Sequence, residues 1–193
     1  MLKRLYNRTM DLAAHRDAVW VLAAVAFIES SVFPIPPDVL LIPMVLAARD
    51  RAWRFAAICT ITSVLGGILG YAIGYFLFET AGRPVLEFYG YAERFGHFSA
   101  TYNEWGAWAV FIAGLTPFPY KVITILSGTT QLDPVIFTIA SIAARGLRFF
   151  VVAALLYWIG PPIRTFIEKR LGMVTIAFCL LMLGGLVVAK YAL

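Results

Sequence analysis

Charge is what this sequence has least of. Asp, Glu, Lys and Arg make up 14% of its 193 residues, against 61% hydrophobic residues, and the mean hydropathy is +0.82. A soluble domain of this size would have too few polar side chains to cover its surface, so an integral membrane protein is expected. Histidine and cysteine are nearly absent, with two of each. His15 and His97 stand alone, and Cys59 and Cys179 lie in separate apolar segments, which excludes a Cys/His metal cluster and argues against a disulfide. No cofactor is expected. No nucleophile–base pair or phosphate loop stands out, and Ser30-Ser31 alone does not make a hydrolase, so the chain does not read as an enzyme. A net charge of +5 is modest for a nucleic-acid binder. Its basic residues read instead as determinants of membrane orientation and as contacts for anionic headgroups. No cleavable signal stands out, because the first apolar run follows the charged segment LKRLYNRTMDLAAHRDA.

An unbroken apolar run is also missing from the first third. Residues 1–17 read as an amphipathic interfacial helix with Lys3, Arg4, Arg8 and Arg16 among its basic residues. Residues 18–48 are too long for one simple span and too short for two, since a crossing takes about 20 residues. They contain FIESSVFPIPPDVLLIP, with two acids and four prolines, and are expected to form a re-entrant hairpin. Residues 55–78 form a span whose Gly66, Gly70 and Gly74 mark a close-packing face. Residues 79–104 are mixed and aromatic, as in an interfacial segment or lid. Residues 105–130 are broken again at TPFPYK and read as a second hairpin. Residues 134–160 and 172–191 are further spans.

FPIPPDVLLI and TPFPYKVITI align at an offset of 83, which sets Pro34 on Pro117, Pro36 on Pro119, Val39 on Val122 and Asp38 on Lys121. Each copy is an apolar arm, a Pro-x-Pro break, a charge, a short arm and a full span, the pattern of an internal duplication. If both broken segments are re-entrant, one side of the membrane holds Lys3, Arg4, Arg8, Arg16, Arg49, Arg51, Arg54, Arg164, Lys169 and Arg170. The other holds Arg83, Arg94 and Lys190. That bias makes the first side cytoplasmic and the repeats inverted. The predicted fold is therefore an all-α integral membrane protein. It is an inverted repeat of hairpin plus transmembrane helix, with an N-terminal amphipathic helix and an extra C-terminal span.

Proline removes a backbone donor and stops a helix, so Pro34, Pro36, Pro117 and Pro119 are expected at the hairpin tips. Broken backbone at membrane depth must be buried in protein or line a wet cavity. Glu29 and Asp38 flank the first tip, and a carboxylate at the bilayer centre costs about 2.5–3.5 kcal/mol. Lys121 flanks the second, beside Thr116, Tyr120 and Thr124. Arg145 and Arg148, three apart in AARGLRFF, share one face near the middle of the 134–160 span. Three cations and two acids suit an anionic group, with arginine forks and a lysine point charge matching phosphate. Lys121, Arg145 and Arg148 are thus the candidate substrate-binding residues, and Glu29 and Asp38 the candidate ion-coupling pair. Asp38 is also readable as a plain counter-ion to Lys121 or an arginine, and Arg148 as a snorkelling side chain. Burial favours a protonated carboxylate and nearby cations an ionised one, so the resting protonation state is open.

At ESSVFPIPPD, GYAIGYFLF, GLTPFPYKVITILSG and ARGLRFF the chain resembles the DedA family, the bacterial members of the VTT (SNARE-associated Golgi protein) superfamily. Its Pro-x-Pro-Tyr-Lys hairpin is most similar to the YqaA branch. The resemblance covers roughly residues 18–160. It implies a bacterial inner-membrane protein with a cytoplasmic N-terminus, two opposed re-entrant hairpins, the acidic pair at Glu29 and Asp38 and the hairpin base at Lys121. It further implies movement of undecaprenyl phosphate or another lipid across the membrane, coupled to protons or sodium. One position departs: where many members carry an arginine before the second hairpin's proline, Gly114 stands here, or Ala113 in a shifted register. The expected function is a lipid-phosphate flippase, with membrane lipids bearing an anionic headgroup or a polyprenyl phosphate as partners. A homo-oligomer is compatible with this, and nucleic acid is not expected. The alternatives are a small-ion or proton antiporter and a non-transport envelope-integrity scaffold.

Overall fold

The computed structural model describes residues 17–31, 36–116 and 119–159. The expected amphipathic helix, the span at 172–191 and the tip residues Pro34 and Pro117 lie outside them. Among the described residues the protein is helical, with no strand. In chain order the helices are α1 (Ala18–Ser31), α2 (Asp38–Ala47), α3 (Ala52–Leu77), α4 (Arg83–Phe88), α5 (Ala92–Leu115), α6 (Tyr120–Thr129) and α7 (Pro134–Ile159). A 3-10 turn, Arg49–Arg51, leads into α3 and a π turn, Phe78–Gly82, leads out of it. Among the described residues, two stretches are long and apolar enough to cross a membrane: Arg49–Phe88, which contains α3, and Pro134–Ile159. By contrast α2, at about 15 Å, is only half as long as a hydrocarbon core is thick.

The element boundaries follow from local chemistry. Thr116 is extended (φ −81°, ψ 166°), as a residue before proline must be, and this ends α5. Pro119 is extended at the start of α6 (φ −61°, ψ 102°). The carboxylate Oδ1 of Asp133 accepts from the amides of Val135 (2.8 Å) and Ile136 (3.0 Å), capping α7 with Pro134 at its first position. Between α6 and α7 the chain turns through Gln131 at φ +56°, and Leu132 N–H closes back on the Ser127 carbonyl at 3.0 Å. Residues 92–104, read from sequence as part of an interfacial segment, belong to α5, which runs unbroken into the second proline-broken region.

α3 and α7 pack antiparallel. Trp53 meets Tyr157 at one end (ring centroids 5.8 Å) and Tyr71 meets Phe137 at the other (5.2 Å), a separation of about 27 Å along α3. Two apolar clusters sit at the two ends of this pair. The first joins Leu22 and Ala26 of α1, Leu41, Met44 and Val45 of α2, Phe55 and Cys59 of α3, and Phe149 and Ala153 of α7. The second joins Val110 of α5, Tyr120 of α6, and Leu132 with Phe137 and Ala140 leading into α7. Both arms of the first broken segment therefore pack on one half of the α3–α7 pair, and the second broken segment packs on the other.

The glycine face of α3 brings these halves together. A Cβ on Gly66 would lie 2.1 Å from the Phe27 carbonyl oxygen of α1, and one on Gly74 2.0 Å from that of Ile125 in α6. Gly128 returns the contact, with its position for a Cβ 1.9 Å from the Tyr71 carbonyl oxygen. Helix backbones approach this closely only without side chains between them.

Candidate functional site

Between the two clusters lies a charged layer. Ser63 and Arg145 stand about midway along α3 and α7, and Arg145 is 1% exposed. Its Nη2 donates to Glu29 Oε2 of α1. Its Nε donates to Ser63 Oγ at 2.6 Å, and Ser30 Oγ lies 3.3 Å from Nη2 and 2.7 Å from Ser63 Oγ. The guanidinium carbon sits 4.6 Å from the Tyr120 ring centroid and 5.0 Å from that of Phe149, so two aromatic faces sandwich the cation. Tyr120 is itself held by its hydroxyl, which donates to Ser141 Oγ.

One turn further along α7, Arg148 Nη2 donates to Asp38 Oδ2 at 2.5 Å and Nη1 to the Thr116 carbonyl at 3.0 Å. This arginine ties the start of α2 to the end of α5, the two sides of different proline breaks. A second tie runs from Thr124 Oγ1 of α6 to the Ser30 carbonyl at 3.1 Å. The carbonyls that end α1 and α5 at the breaks are thus met by side chains from other elements, Thr124 on Ser30 and Arg148 on Thr116, and Arg148 lies where a helix C-terminus favours positive charge.

Four of the five expected charges form two ion pairs, Arg145–Glu29 and Arg148–Asp38. Arg145–Glu29 is almost closed off, with the side chains 1% and 13% exposed. Arg148–Asp38 is more open, at 18% and 12%. Lys121 is half-buried in the first turn of α6. Pro36 is half-buried just ahead of α2, next to buried Pro37. Asp38 pairs with Arg148, one of the partners considered from the sequence. Arg148 is held inward at Asp38 and Thr116 rather than reaching for the surface. Sequence reasoning missed Ser63, whose only signal is a small hydroxyl residue inside an apolar helix, and it did not foresee Tyr120 and Phe149 as the walls around Arg145. At Gly114 a Cβ would lie 2.7 Å from Ala144 Cβ. α5 and α7 approach too closely there for a side chain, so no arginine fits.

No group of three or more His, Cys, Asp or Glu suited to a metal occurs among the described residues. The layer itself offers fixed cations, carboxylates and hydroxyls that bridge them.

The VTT domain model matches residues 35–158, which takes in Asp38, Lys121, both arginines and both long helices. The chain belongs to the DedA family, whose domain this is. As a DedA protein it is a membrane protein, in keeping with its two long apolar helices. It is 38% identical over 170 residues to an uncharacterized protein of Haemophilus influenzae, covering 88% of each chain. To an uncharacterized protein of Histophilus somni it is 39% identical over 156 residues, covering 81% of each. No solved structure matches it.

Proposed function

We propose that this DedA protein moves lipid phosphates across the bacterial inner membrane, driven by a proton or sodium gradient, with undecaprenyl phosphate or a phospholipid as cargo. The observation that carries this reading is the charged layer midway along α3 and α7, where arginines of one helix reach both broken segments. The two arginines there carry the donor forks that an anionic headgroup requires, and Lys121 follows the second break in the first turn of α6. Arg148 and Lys121, the more accessible cations, receive the phosphate, and Arg145 holds the layer in place. A proton taken up by Asp38 would release Arg148 toward the phosphate, linking ion entry to lipid binding reciprocally.

Purified protein in proteoliposomes tests this directly. Lys121→Ala and Arg148→Ala should each slow lipid-phosphate flipping about tenfold or more, the loss expected for a charge-assisted hydrogen bond. Full flipping activity in both folded variants would falsify the anion site. In the same assay Glu29→Gln and Asp38→Asn keep size but cannot titrate. Loss of the response to an imposed pH or sodium gradient in either assigns it the coupling role. A wild-type response in both makes the acids structural counter-ions only.

In this reading α1–α2 and α5–α6 are opposed re-entrant hairpins, and the N-terminus is cytoplasmic. The packing of α1 and α2 on one half of the α3–α7 pair and of α6 on the other supports it. After replacement of Cys59 and Cys179, an impermeant thiol reagent should reach Asp50→Cys from the cytoplasm and Glu93→Cys from outside. Labelling of both from one side sinks the topology.

A further inference from the structure

A cavity of about 300 Å³ opens beyond the end of α3 opposite to Arg49 and Arg51, away from the charged layer. Its walls come from the π turn Phe78–Gly82, α4, the start of α5 and the turn after α6. Two backbone irregularities converge on it. The π turn carries Glu79 to the cavity, and π turns recur where a helix must re-aim a side chain for function. Across from it Gln131 adopts a left-handed conformation uncommon for a residue with a side chain, and its Nε2 donates to Glu79 Oε1 at 2.6 Å. Arg83 stands between two carboxylates, 3.7 Å from Glu79 and 3.2 Å from Glu87. Phe78 and Phe95 stack at 4.7 Å to form an apolar wall.

We propose that this cavity binds the phosphoethanolamine headgroup of a membrane phospholipid, its ammonium on Glu79 and Glu87 and its phosphate on Arg83. The lining carries both signs of charge within one side chain's reach, which fits a zwitterion and neither a simple anion nor a simple cation. Two carboxylates together offer enough acceptors for an ammonium with three N–H donors, and a trimethylated ammonium could use none of them. The neighbouring turn presents Phe88 and Tyr89 at 84% and 67% exposure, aromatic residues of the kind that settle at headgroup level. The occupant is therefore a lipid at the interface rather than a soluble solute. Phe78 and Leu86 face the start of its tails. The site is separate from the charged layer, and loss of flipping in Lys121 or Arg148 variants leaves it untouched.

The test uses the full chain in nanodiscs containing equal amounts of phosphatidylethanolamine, phosphatidylcholine and phosphatidylglycerol, with bound lipid read by native mass spectrometry. Wild type should retain phosphatidylethanolamine over phosphatidylcholine by about tenfold, the discrimination a hydrogen-bonded ammonium gives. The double variant Glu79→Gln/Glu87→Gln should lose that preference. Gly96→Leu supplies an independent arm. Gly96 lines the cavity, and a Cβ there meets nothing within 4 Å, so leucine fills the space while the charges remain, and retention should fall. Excess free phosphoethanolamine should not displace the lipid. Equal retention of the three lipids by wild type, a wild-type preference in the double variant, wild-type retention in Gly96→Leu, or displacement by the soluble compound overturns the assignment.

Discussion

Arg145→Ala should cost this protein about 3–5 kcal/mol of stability, the penalty for leaving one member of a buried ion pair without its partner. The guanidinium is 1% exposed and joins α7 to Glu29 and Ser30 of α1 and to Ser63 of α3. Its removal strands the Glu29 carboxylate and empties the space between Tyr120 and Phe149. Thermal unfolding of the purified protein reads the effect directly. Arg145→Ala/Glu29→Gln should recover part of the loss, because the stranded charge goes too. Arg148→Ala should unfold at a temperature closer to wild type, since its side chain is 18% exposed and its pair can take up water. An Arg145→Ala protein as stable as wild type would show that the buried layer does not hold the helices together. The sequence alone set both arginines down as candidate ligands. Burial separates them, and the loss of transport expected of an Arg145 variant would reflect loss of the site's frame.

The second large effect is expected at the helix crossings. Gly74→Ala and Gly128→Ala each place a methyl group within 2.0 Å and 1.9 Å of a carbonyl oxygen on the partner helix. Backbone cannot rotate away as a side chain can, so α3 and α6 must separate. Overpacking of this kind costs about 1–3 kcal/mol even where side chains can adjust. Both variants should melt well below wild type and lose monodispersity in detergent. Gly146→Ala is the control. Its Cβ would have nearest contact at 3.7 Å with Thr60, and alanine gains about 1 kcal/mol over glycine in a helix. If Gly74→Ala and Gly146→Ala melt together, the close α3–α6 crossing is not a feature of the folded protein.

Much of this was readable from local chemistry. The low charge content gave the membrane class, and the apolar runs gave the two long helices among the described residues. The four-residue glycine spacing in α3 pointed to a packing face, and the same face meets Phe27 and Ile125. Thr116 ends α5 as a residue before proline must. The boundary drawn at 104/105 between an interfacial segment and the second hairpin is not a feature of the helix. Tyr102, Asn103 and Glu104 lower the local hydropathy, yet they sit on a continuous helix, where Tyr102 reaches Ser127 Oγ at 2.9 Å and Asn103 the Thr130 carbonyl at 2.8 Å. Polarity there reports contact with α6 and the turn after it, not a chain break.

Sequence by itself determined where helices can run, where a Pro-x-Pro break follows them, and that five charges stand in or beside apolar segments. Each of those depends on neighbours within a few residues. Only the tertiary structure decided how the charges are used. Arg145 and Arg148 share a face at any helical spacing of three, but their acids lie 116 and 110 residues away. No local pattern tells which arginine meets which acid. That choice is made when α1 and α2 settle against α3 and α7, because in a low-dielectric layer a charge goes where a partner can reach it. Ser63, an ordinary hydroxyl in an apolar helix, becomes part of the layer for the same reason: α3 carries it to within 2.6 Å of Arg145.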